Sequence, residues 1–243
     1  ATTAQNYSQR VMRVQSYIQN NLDSALLLDD LAELAMMSPY HFHRIFRNMV
    51  GEPIKVHIRR LRLEKAALQL RFTNSALKRI ASDASYNTIE AFSRAFKSQF
   101  DMTPANYRER YTQRQLNTQS GTNLQSNYYQ EFNDLEVEIT YFDQMTVAYI
   151  RQDGPYTGLA HLFPTIKDWL ESNEASTDNA KHLGLIGGYP PVTESDYVFC
   201  DACIQIHTSL EGHANIGIRT INKGKYAAVS LTGSSAEIRS KLY

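Results

Sequence analysis

A six-residue motif that occurs twice, fifty positions apart, constrains this chain more than any other feature of its sequence. Phe42-His43-Arg44-Ile45-Phe46-Arg47 is repeated as Phe92-Ser93-Arg94-Ala95-Phe96-Lys97, so both copies follow the pattern Phe-x-Arg-x-Phe-basic. Two Phe four residues apart lie one turn apart on one helix face, and the Arg between them points away. Each copy follows a shorter apolar stretch, with Leu31-Ala32 or Ile80-Ala81. The sequence therefore predicts a helix-turn-helix plan that is used twice.

The region around the two copies has helical periodicity throughout. From Tyr7 to about Tyr111, apolar residues recur at spacings of three and four. Ser38-Pro39 and Thr103-Pro104 fit an N-cap followed by proline at the first helical position, and Gly51 lies where a helix would end. Between the copies, Pro53 to about Leu70 mixes apolar and basic positions as one continuous helix would. We expect an all-α region in which a rigid connecting helix joins the two units.

Charge is distributed unevenly along a chain whose net charge is zero. Residues 1–115 hold 17 Lys and Arg against 10 Asp and Glu, a net of +7, and the remainder holds 8 against 15, a net of −7. Basic side chains gain affinity for a polyanion by displacing counterions from its phosphates. On charge alone, the alternative is an accidental surface imbalance. Together with two helix-turn-helix units, the basic half indicates double-stranded DNA as a partner.

The second helix of a helix-turn-helix unit, its recognition helix, lies in the major groove, where its outward face reaches base edges. Arg can bond O6 and N7 of guanine together. Basic residues one turn off that face contact phosphates, which fix register without carrying sequence information. A connector that separates the two recognition helices by ~34 Å would place them in successive groove turns, so one chain would need no dimer. The predicted base contacts are Tyr40, His43, Arg44, Asn87, Glu90 and Arg94, and the predicted phosphate contacts are Arg47 and Lys97.

The second half of the chain changes in both period and composition. Residues 113–130 are polar and follow neither period, which indicates a linker. Beyond them, residues 137–141 alternate as a strand and residues 147–150 form a second strand before Gly154-Pro155, and a helical stretch runs from about Leu159 to Leu170. The order strand, strand, helix, strand predicts an α+β domain. We expect a DNA-binding domain at 1–112, a linker at 113–133 and an α+β domain at 134–243.

The only two cysteines, Cys200 and Cys203, have a C-x-x-C spacing that can hold a metal or form a redox pair. They lie in the apolar run from Tyr197 to Ile206, which predicts a buried strand on which residues three apart point to opposite faces. Buried structural thiols are therefore favoured, and no metal or cofactor is expected. No apolar run has the ~18 to 20 residues of a membrane span, and the N-terminus lacks a secretory pattern, so we expect a cytoplasmic protein.

Several stretches of the first half match a family pattern: Ser38 to Phe46, Gly51, Arg60 to Leu63, Ala91 to Lys97 and Thr103 to Arg108. With them, residues 7–111 resemble the DNA-binding domain of AraC/XylS-type regulators, which implies a bacterial protein that is nucleoid-associated when bound to DNA. Two positions depart from the family. Ser85 stands in the turn of the second unit, where the family usually has Gly, and Asp101 replaces a frequent Gly. Asp tolerates the left-handed conformation better than Ser, so the first unit is expected to be the more dependable.

A second, hidden repeat lies in residues 134–243. Thr146 to Tyr156 looks like Lys225 to Ser235, each a strand, a Gly-containing turn and the start of a helix. Two such halves around a pseudo-twofold would make a curved antiparallel sheet with a cleft. Together with the strand Phe199 to Ile204, this resembles the GyrI-like small-molecule-binding domain. In that family, an aromatic cleft binds bulky, often cationic compounds through stacking, cation–π contacts and an acidic residue.

The resemblance implies an aromatic set of effector contacts, although each member could equally belong to the core. The chain ends at Tyr243, inside the expected helix of the second half, so we expect an incomplete domain whose acidic effector contact lies beyond Tyr243. The implied ligand-binding residues are Tyr149, Tyr156, Trp169, Tyr189 and Phe199.

These features predict a transcription regulator that acts by binding, with no chemical step. The first domain would bind promoter or operator DNA, the second would bind a small-molecule effector, and RNA polymerase would be a further partner. One alternative is that the second domain has lost its ligand and serves as a protein-protein module. Another is a GyrI-like hydrolase of small electrophiles fused to a DNA-binding domain. No Ser/His/Asp or Cys/His set with supportive spacing is evident for that reaction.

Overall fold

The structure, a computed structural model, describes residues 3–119, 136–154, 158–188, 192–193 and 197–230, with the side chains of residues 3–6 and 113–119 left out. The chain divides into two compact units. One consists of residues 1–104 and 145–221, and the other of residues 105–144 and 222–243. The domain limits expected from the sequence, 1–112 and 134–243, remain a prediction.

The first helix-turn-helix unit is built from α1 (Thr3–Asn20), α2 (Leu28–Leu34) and α3 (Pro39–Val50). One apolar stripe of α1, with Val11, Val14 and Ile18, is buried in a single cluster with residues of α2 and α3. Burial of each such side chain stabilises the fold by about 1.5–3 kcal/mol. The unit predicted from the first copy of the motif is therefore confirmed.

The second unit is built in the same way, with α4 (Ile54–Phe72) in place of α1. α4 packs against both α5 (Leu77–Asp83) and α6 (Ile89–Phe100). Ala66, Ala67 and Leu70 of α4 are buried, as are Ile80 and Ala81 of α5. The predicted continuous connector is confirmed, and it forms one wall of each unit, since Ile54 and Ile58 at its start lie in the cluster of the first unit.

A further helix, α7 (Pro104–Gln119), extends beyond the helical region that the sequence predicted. Its last residues, 113–119, were expected to begin the linker because they show no apolar periodicity. They include Gln, Arg and Leu, which have high helix propensity, so an existing helix can continue through them without an apolar face. The rest of the expected linker lies outside the described residues.

The second half contains a four-stranded antiparallel sheet with the order β3-β4-β2-β5. The strands are β2 (Met145–Asp153), β3 (His182–Gly187), β4 (Phe199–Ile206) and β5 (Ile216–Ile221). Helix α8 (Phe163–Ser172) covers one face, where its Ile166 and Leu170 are buried with Ala148, Ala202 and Ile204 of the sheet. The expected α+β class is confirmed, with α8 starting four residues later than predicted.

A second sheet has two antiparallel strands, β1 (Val137–Phe142) and β6 (Gly224–Val229). The two strands of the hidden repeat, β2 and β6, thus belong to different sheets. The turn and helix expected after β6 lie outside the described residues. In the described part of the chain, no helix is both long enough and apolar enough to span a membrane.

Candidate nucleic-acid interface and effector domain

Each recognition helix is fixed by two buried Phe. Phe42 and Phe46 of α3, and Phe92 and Phe96 of α6, are all fully buried, and each pair is in ring contact at 5.6 Å. Arg44 and Arg94, which lie between the members of each pair, are exposed. The repeat therefore presents one guanidinium to solvent at the same position of both units.

The ends of α3 and α6 are also built alike. The Ser38 hydroxyl accepts a hydrogen bond from the amide of His41 at 3.4 Å, and the Thr88 hydroxyl accepts one from the amide of Ala91 at 3.2 Å. At the C-termini, Gly51 (φ 84°) and Asp101 (φ 56°) both adopt the left-handed conformation. These caps satisfy backbone groups that a helix leaves unpaired at its ends.

The turns before the two recognition helices correct one expectation. Ser85 (φ 64°) was expected to make the second turn atypical, but Met36 (φ 52°) holds the same left-handed position in the first. The hydrogen bonds also match. The amide of Met37 donates to Ala32 at 3.0 Å, and the amide of Tyr86 donates to Ala81 at 2.9 Å. The two turns are therefore equivalent, and each carries a non-glycine residue in a strained conformation.

The predicted DNA contacts lie on the surfaces of these elements. Tyr40, at the start of α3, has 80% of its side chain exposed, although a large aromatic residue is usually buried. His43 is half-buried. The remaining predicted contacts are exposed: Arg44, Arg47, Asn87, Glu90, Arg94 and Lys97.

A basic hollow beside the second turn was not predicted from the sequence. It has a volume of about 230 Å³, and Lys55, Arg59 and Arg62 of α4 line it together with Tyr86. Arg62 donates to the carbonyls of Leu22 and Ser24, so the exposed positive charge comes from Lys55 and Arg59. The hollow can therefore accept an anionic group such as a phosphate. Its sequence signal is the spacing 55, 59, 62, which places three cations on one helix face.

The opposite side of α4 carries a buried ionic cluster. Arg60 donates to Glu52 at 2.7 Å and to Glu64 at 2.8 Å, and Nδ1 of His57 donates to Glu52 at 2.8 Å. Burial would raise the pKa of Glu52, but the hydrogen bonds from His57 and Arg60 outweigh it and lower that pKa. For Glu64, burial dominates and raises the pKa. Burial lowers the pKa of His57, so its imidazole is neutral near pH 7.

Two side chains of this cluster contact the segment before β4. The hydroxyl of Thr193 donates to Glu64 at 2.9 Å in a buried hydrogen bond, and the guanidinium of Arg60 lies 3.9 Å from the ring centre of Tyr197. Helix α1 makes a third contact, because the hydroxyls of Ser16 and Tyr149 are 3.3 Å apart. Helix α1 thus packs on the face of the four-stranded sheet that α8 leaves open.

The predicted effector contacts are distributed over both faces of this sheet. Tyr149 and Phe199 lie on the face toward α1, whereas Trp169 belongs to α8 and packs on the opposite face. Tyr149 is only 1% exposed, and Phe199 is half-buried. These three residues do not line one cavity. Tyr156 and Tyr189 lie outside the described residues.

Two glycines make room for the rings on the α1 side. A Cβ at Gly217 would lie 2.6 Å from the Tyr149 ring, and one at Gly187 would overlap the Phe199 ring. Both rings therefore lie over glycine backbone. Neither glycine had been predicted to have a role.

The same face carries an ionic cluster that the sequence analysis also missed. Asp201, which is completely buried, accepts hydrogen bonds from Arg151 at 2.8 and 2.9 Å and from Arg219 at 3.0 Å. Arg151 and Asp201 are directly paired between β2 and β4. Alternation along the predicted strands could have placed Arg151 beside Tyr149, but only the pairing register identifies Asp201 as its partner.

The cysteines lie as the strand prediction requires. Cys200 is buried in the cluster under α8 and Cys203 in the cluster under α1, so the two thiols point to opposite faces of β4. Burial raises the pKa of both thiols, that of Cys203 to about 12. Both are therefore protonated near pH 7, and no group of three or more metal-ligating side chains occurs among the described residues.

Comparison with known proteins matches both halves of the chain to known families. Residues 31–110 match the family model of a helix-turn-helix domain, and residues 135–242 match that of the GyrI-like small molecule binding domain. The regulatory protein SoxS of Escherichia coli is 36% identical over 95 residues, which cover 39% of this chain and 89% of SoxS. The transcriptional regulator Rob of Salmonella typhimurium is 39% identical over 92 residues, 38% of this chain but only about a third (32%) of Rob.

Among solved structures, the C-terminal domain of AraT, a response regulator from Geobacillus stearothermophilus, is 32% identical. The matched residues cover 42% of this chain and 86% of the AraT domain, and the TM-score is 0.40. Two helix-turn-helix units with exposed basic faces define a DNA-binding transcription regulator. The chain belongs to the AraC family of these regulators, and its second half is a GyrI-like domain.

Proposed function

We propose that this regulator reads two successive major-groove segments of promoter DNA with α3 and α6, and that a small-molecule effector bound by the GyrI-like domain modulates it. The observation that carries the proposal is the position of Arg44 and Arg94. Both guanidiniums are exposed between two fully buried Phe on equivalent, equally capped helices. A rigid framework that presents Arg at a repeated position suits bidentate recognition of guanine.

Around each Arg, a small set of side chains completes the proposed contact surface. His43, Asn87 and Glu90 supply further hydrogen-bonding groups toward base edges, and Tyr40 supplies an exposed ring for packing. Arg47 and Lys97 lie one turn further along the helices and are proposed to contact phosphates. RNA polymerase is a proposed further partner, reached through surfaces that this DNA-facing side leaves free.

The DNA part is tested by selecting bound sequences from random DNA and measuring affinity for the selected site and for its single-base variants. Arg44→Ala and Arg94→Ala should each cost about 1–3 kcal/mol and relax specificity at one base position. Arg47→Ala or Lys97→Ala should weaken all sequences alike and reduce the salt slope by about 1. Arg13→Ala is the matched control, because Arg13 is an exposed arginine of α1 outside the proposed surface. Unchanged specificity in both base-contact variants would refute the assignment.

The effector part is tested on the full chain with a broad panel of aromatic and charged compounds. A bound effector should raise the temperature of thermal unfolding, because it stabilises only the folded state. If no compound has this effect, the second domain is better explained as a protein-protein module. Turnover of a reactive ester would instead support a GyrI-like hydrolase. Neither cysteine of the described strands supports that interpretation, because both are buried and protonated near pH 7.

A further inference from the structure

The ionic cluster on the sheet face toward α1 has more positive than negative charge. Arg151 uses Nε and Nη2 to bond both oxygens of Asp201, at 2.8 and 2.9 Å, and Arg219 adds a third hydrogen bond at 3.0 Å. The side chains of Arg151 and Arg219 are only 6% and 13% exposed. Two guanidiniums thus share one carboxylate away from water, and no described residue of the cluster supplies a counterion for the second positive charge.

Among the residues that the structure describes, the other acidic groups in this region do not bond to these arginines. Glu52, just before α4, and Glu64 of α4 are hydrogen-bonded to Arg60, and they also accept from His57 and Thr193 respectively. Asp153, at the end of β2, is exposed and acts on Arg151 only through its charge. Screening by solvent weakens that interaction. Within the described part of the chain, the excess charge of the cluster is therefore not neutralised by a hydrogen-bonded carboxylate.

Two donors of the cluster are also unsatisfied. Nη1 of Arg151 and Nε of Arg219 are buried, and neither has a hydrogen-bond partner among the residues that the structure describes. A guanidinium cannot lose its proton in a protein and has no acceptor atom, so each of these nitrogens needs an acceptor. Because nearly all buried donors in folded proteins are paired with protein or with ordered water, two orphaned donors on guanidiniums that share one carboxylate indicate an acceptor from outside the chain. The net positive charge of the cluster favours an anion over a water molecule as this acceptor.

The surroundings of the cluster are apolar, which indicates that the rest of the ligand is apolar as well. The Phe199 ring lies 3.6 Å from the Arg151 guanidinium, and the Tyr149 ring has Arg151 and Arg219 at 6.0 and 5.7 Å. Beyond Tyr149, the same face is formed by Val147 and Cys203 and is covered by Met12 of α1. A charged end beside two arginines and an apolar body beside this surface describe an organic anion.

We propose that the sheet face around Arg151, Asp201 and Arg219 binds the carboxylate of an organic anion, whose apolar body replaces the contacts of Met12 and Ser16 with Tyr149. This proposal rests on the proposed effector role of the domain and names the ligand class. It reverses the charge expected from the family resemblance, which implied cationic compounds. It also places the effector where α1 of the first helix-turn-helix unit now packs, so that binding acts directly on the DNA-binding region.

The test compares benzoate with benzamidine, which have the same ring and similar planar end groups of opposite charge. Binding to the full chain is measured by titration calorimetry and thermal unfolding, with NaCl added to equalise the ionic strength and sodium sulfate as a separate arm. Benzoate should bind at least tenfold more tightly than benzamidine and raise the unfolding temperature. Stabilisation by sulfate equal to that by benzoate would overturn the organic-anion proposal, because it would show a site for the oxyanion alone.

The decisive variant is Arg219→Gln, which leaves Arg151 and Asp201 as a balanced pair. It should weaken benzoate binding at least tenfold, whereas Arg219→Lys should retain most of it and Arg13→Gln should have no effect. Arg219→Lys also keeps the test valid if the Gln variant does not fold. Benzamidine binding as tightly as benzoate, or an unchanged affinity in Arg219→Gln, would overturn the proposal. If other panel compounds bind while benzoate does not, the anion site is wrong and the effector function stands. If none binds, both fail.

Discussion

The two helix-turn-helix units share their local chemistry but differ in what holds them. Each has two buried Phe, a hydroxyl N-cap, a left-handed C-cap and a left-handed residue in the turn. The first unit is completed by α1, whose other side contacts the sheet through Met12 and Ser16. The second is completed by α4, whose Arg60 and Glu64 contact Tyr197 and Thr193 in the segment before β4. A repeated motif therefore fixes how a recognition helix is presented, whereas its neighbours decide which part of the second half each unit contacts.

The largest expected effect tests whether the two cores are equivalent. Phe46→Ala and Phe96→Ala should each destabilise the protein by about 3–5 kcal/mol, because both side chains are fully buried. Urea unfolding measures the total loss, and amide hydrogen exchange in α3 and α6 assigns it to one unit. If either substitution cost less than about 1 kcal/mol, the two cores would not be equivalent, and the two helix-turn-helix units would not share their local chemistry.

The C-caps should respond to substitution in opposite directions. A Cβ at Gly51 would meet no atom within 4 Å, so Gly51→Ala tests backbone strain alone at φ 84° and should cost about 1–2 kcal/mol. Asp101 already bears that strain at φ 56°, so Asp101→Gly should stabilise the protein by up to about 1 kcal/mol. Thermal unfolding of both variants is the measurement. A stabilising Gly51→Ala would show that the cap conformation is wrong.

His57 of α4, which packs against Phe46 of the first unit, should make the stability of the protein depend on pH. The folded-state pKa of His57 lies below its usual value, so its contribution to stability is complete above about pH 6.5 and is lost as the pH falls toward the folded pKa. The slope cannot exceed about 1.4 kcal/mol per pH unit for one proton. Glu64, whose pKa is raised, acts in the opposite direction. The unfolding free energies of the parent and His57→Gln, measured from pH 8 to 5.5, should therefore converge as the pH falls. Parallel curves would contradict this assignment.

The smallest expected effects compare the two turns. Met36→Gly and Ser85→Gly should each stabilise the protein by less than about 1 kcal/mol, because relief of left-handed strain is partly offset by the greater entropy of glycine in the unfolded chain. The two gains should agree within the error of urea unfolding. A gain only at Ser85 would restore the sequence-based expectation that the second turn is the atypical one.

The helical half was predictable because its information is local. Phe42, Phe92 and the cap residues Ser38 and Gly51 act within one or two turns of the chain, so spacing alone identified the two recognition helices and both ends of α3. The left-handed Met36 was missed, because nothing in an isolated Met signals positive φ. The family usually has Gly at the position of Ser85, which suggested that the two turns differ. Their backbones are alike, since Met36 and Ser85 both have positive φ.

The sheet was predictable as strands but not as a site. Apolar runs identified β2 and β4, and the period of one strand predicted that the two cysteines face opposite ways. No pattern had identified β3 or β5. The partners of Arg151 depend on register between strands that are fifty residues apart, and the cover over Tyr149 comes from α1. No spacing rule connects such distant positions. For this reason the aromatic residues were predicted as one pocket, whereas Trp169 packs on the other face.

The pairing of β1 with β6 has a consequence for the order of folding. The nearest paired residues, Phe142 and Gly224, are more than eighty positions apart, so closing this loop in an unfolded chain carries a large entropic cost. Met145 pairs with Ile221 in the four-stranded sheet, which joins the ends of the intervening chain. Once that pair exists, only a few residues on each side remain to be closed. The two-stranded sheet should therefore form after the four-stranded sheet. Its formation during refolding would then indicate that the segment between its strands has already folded.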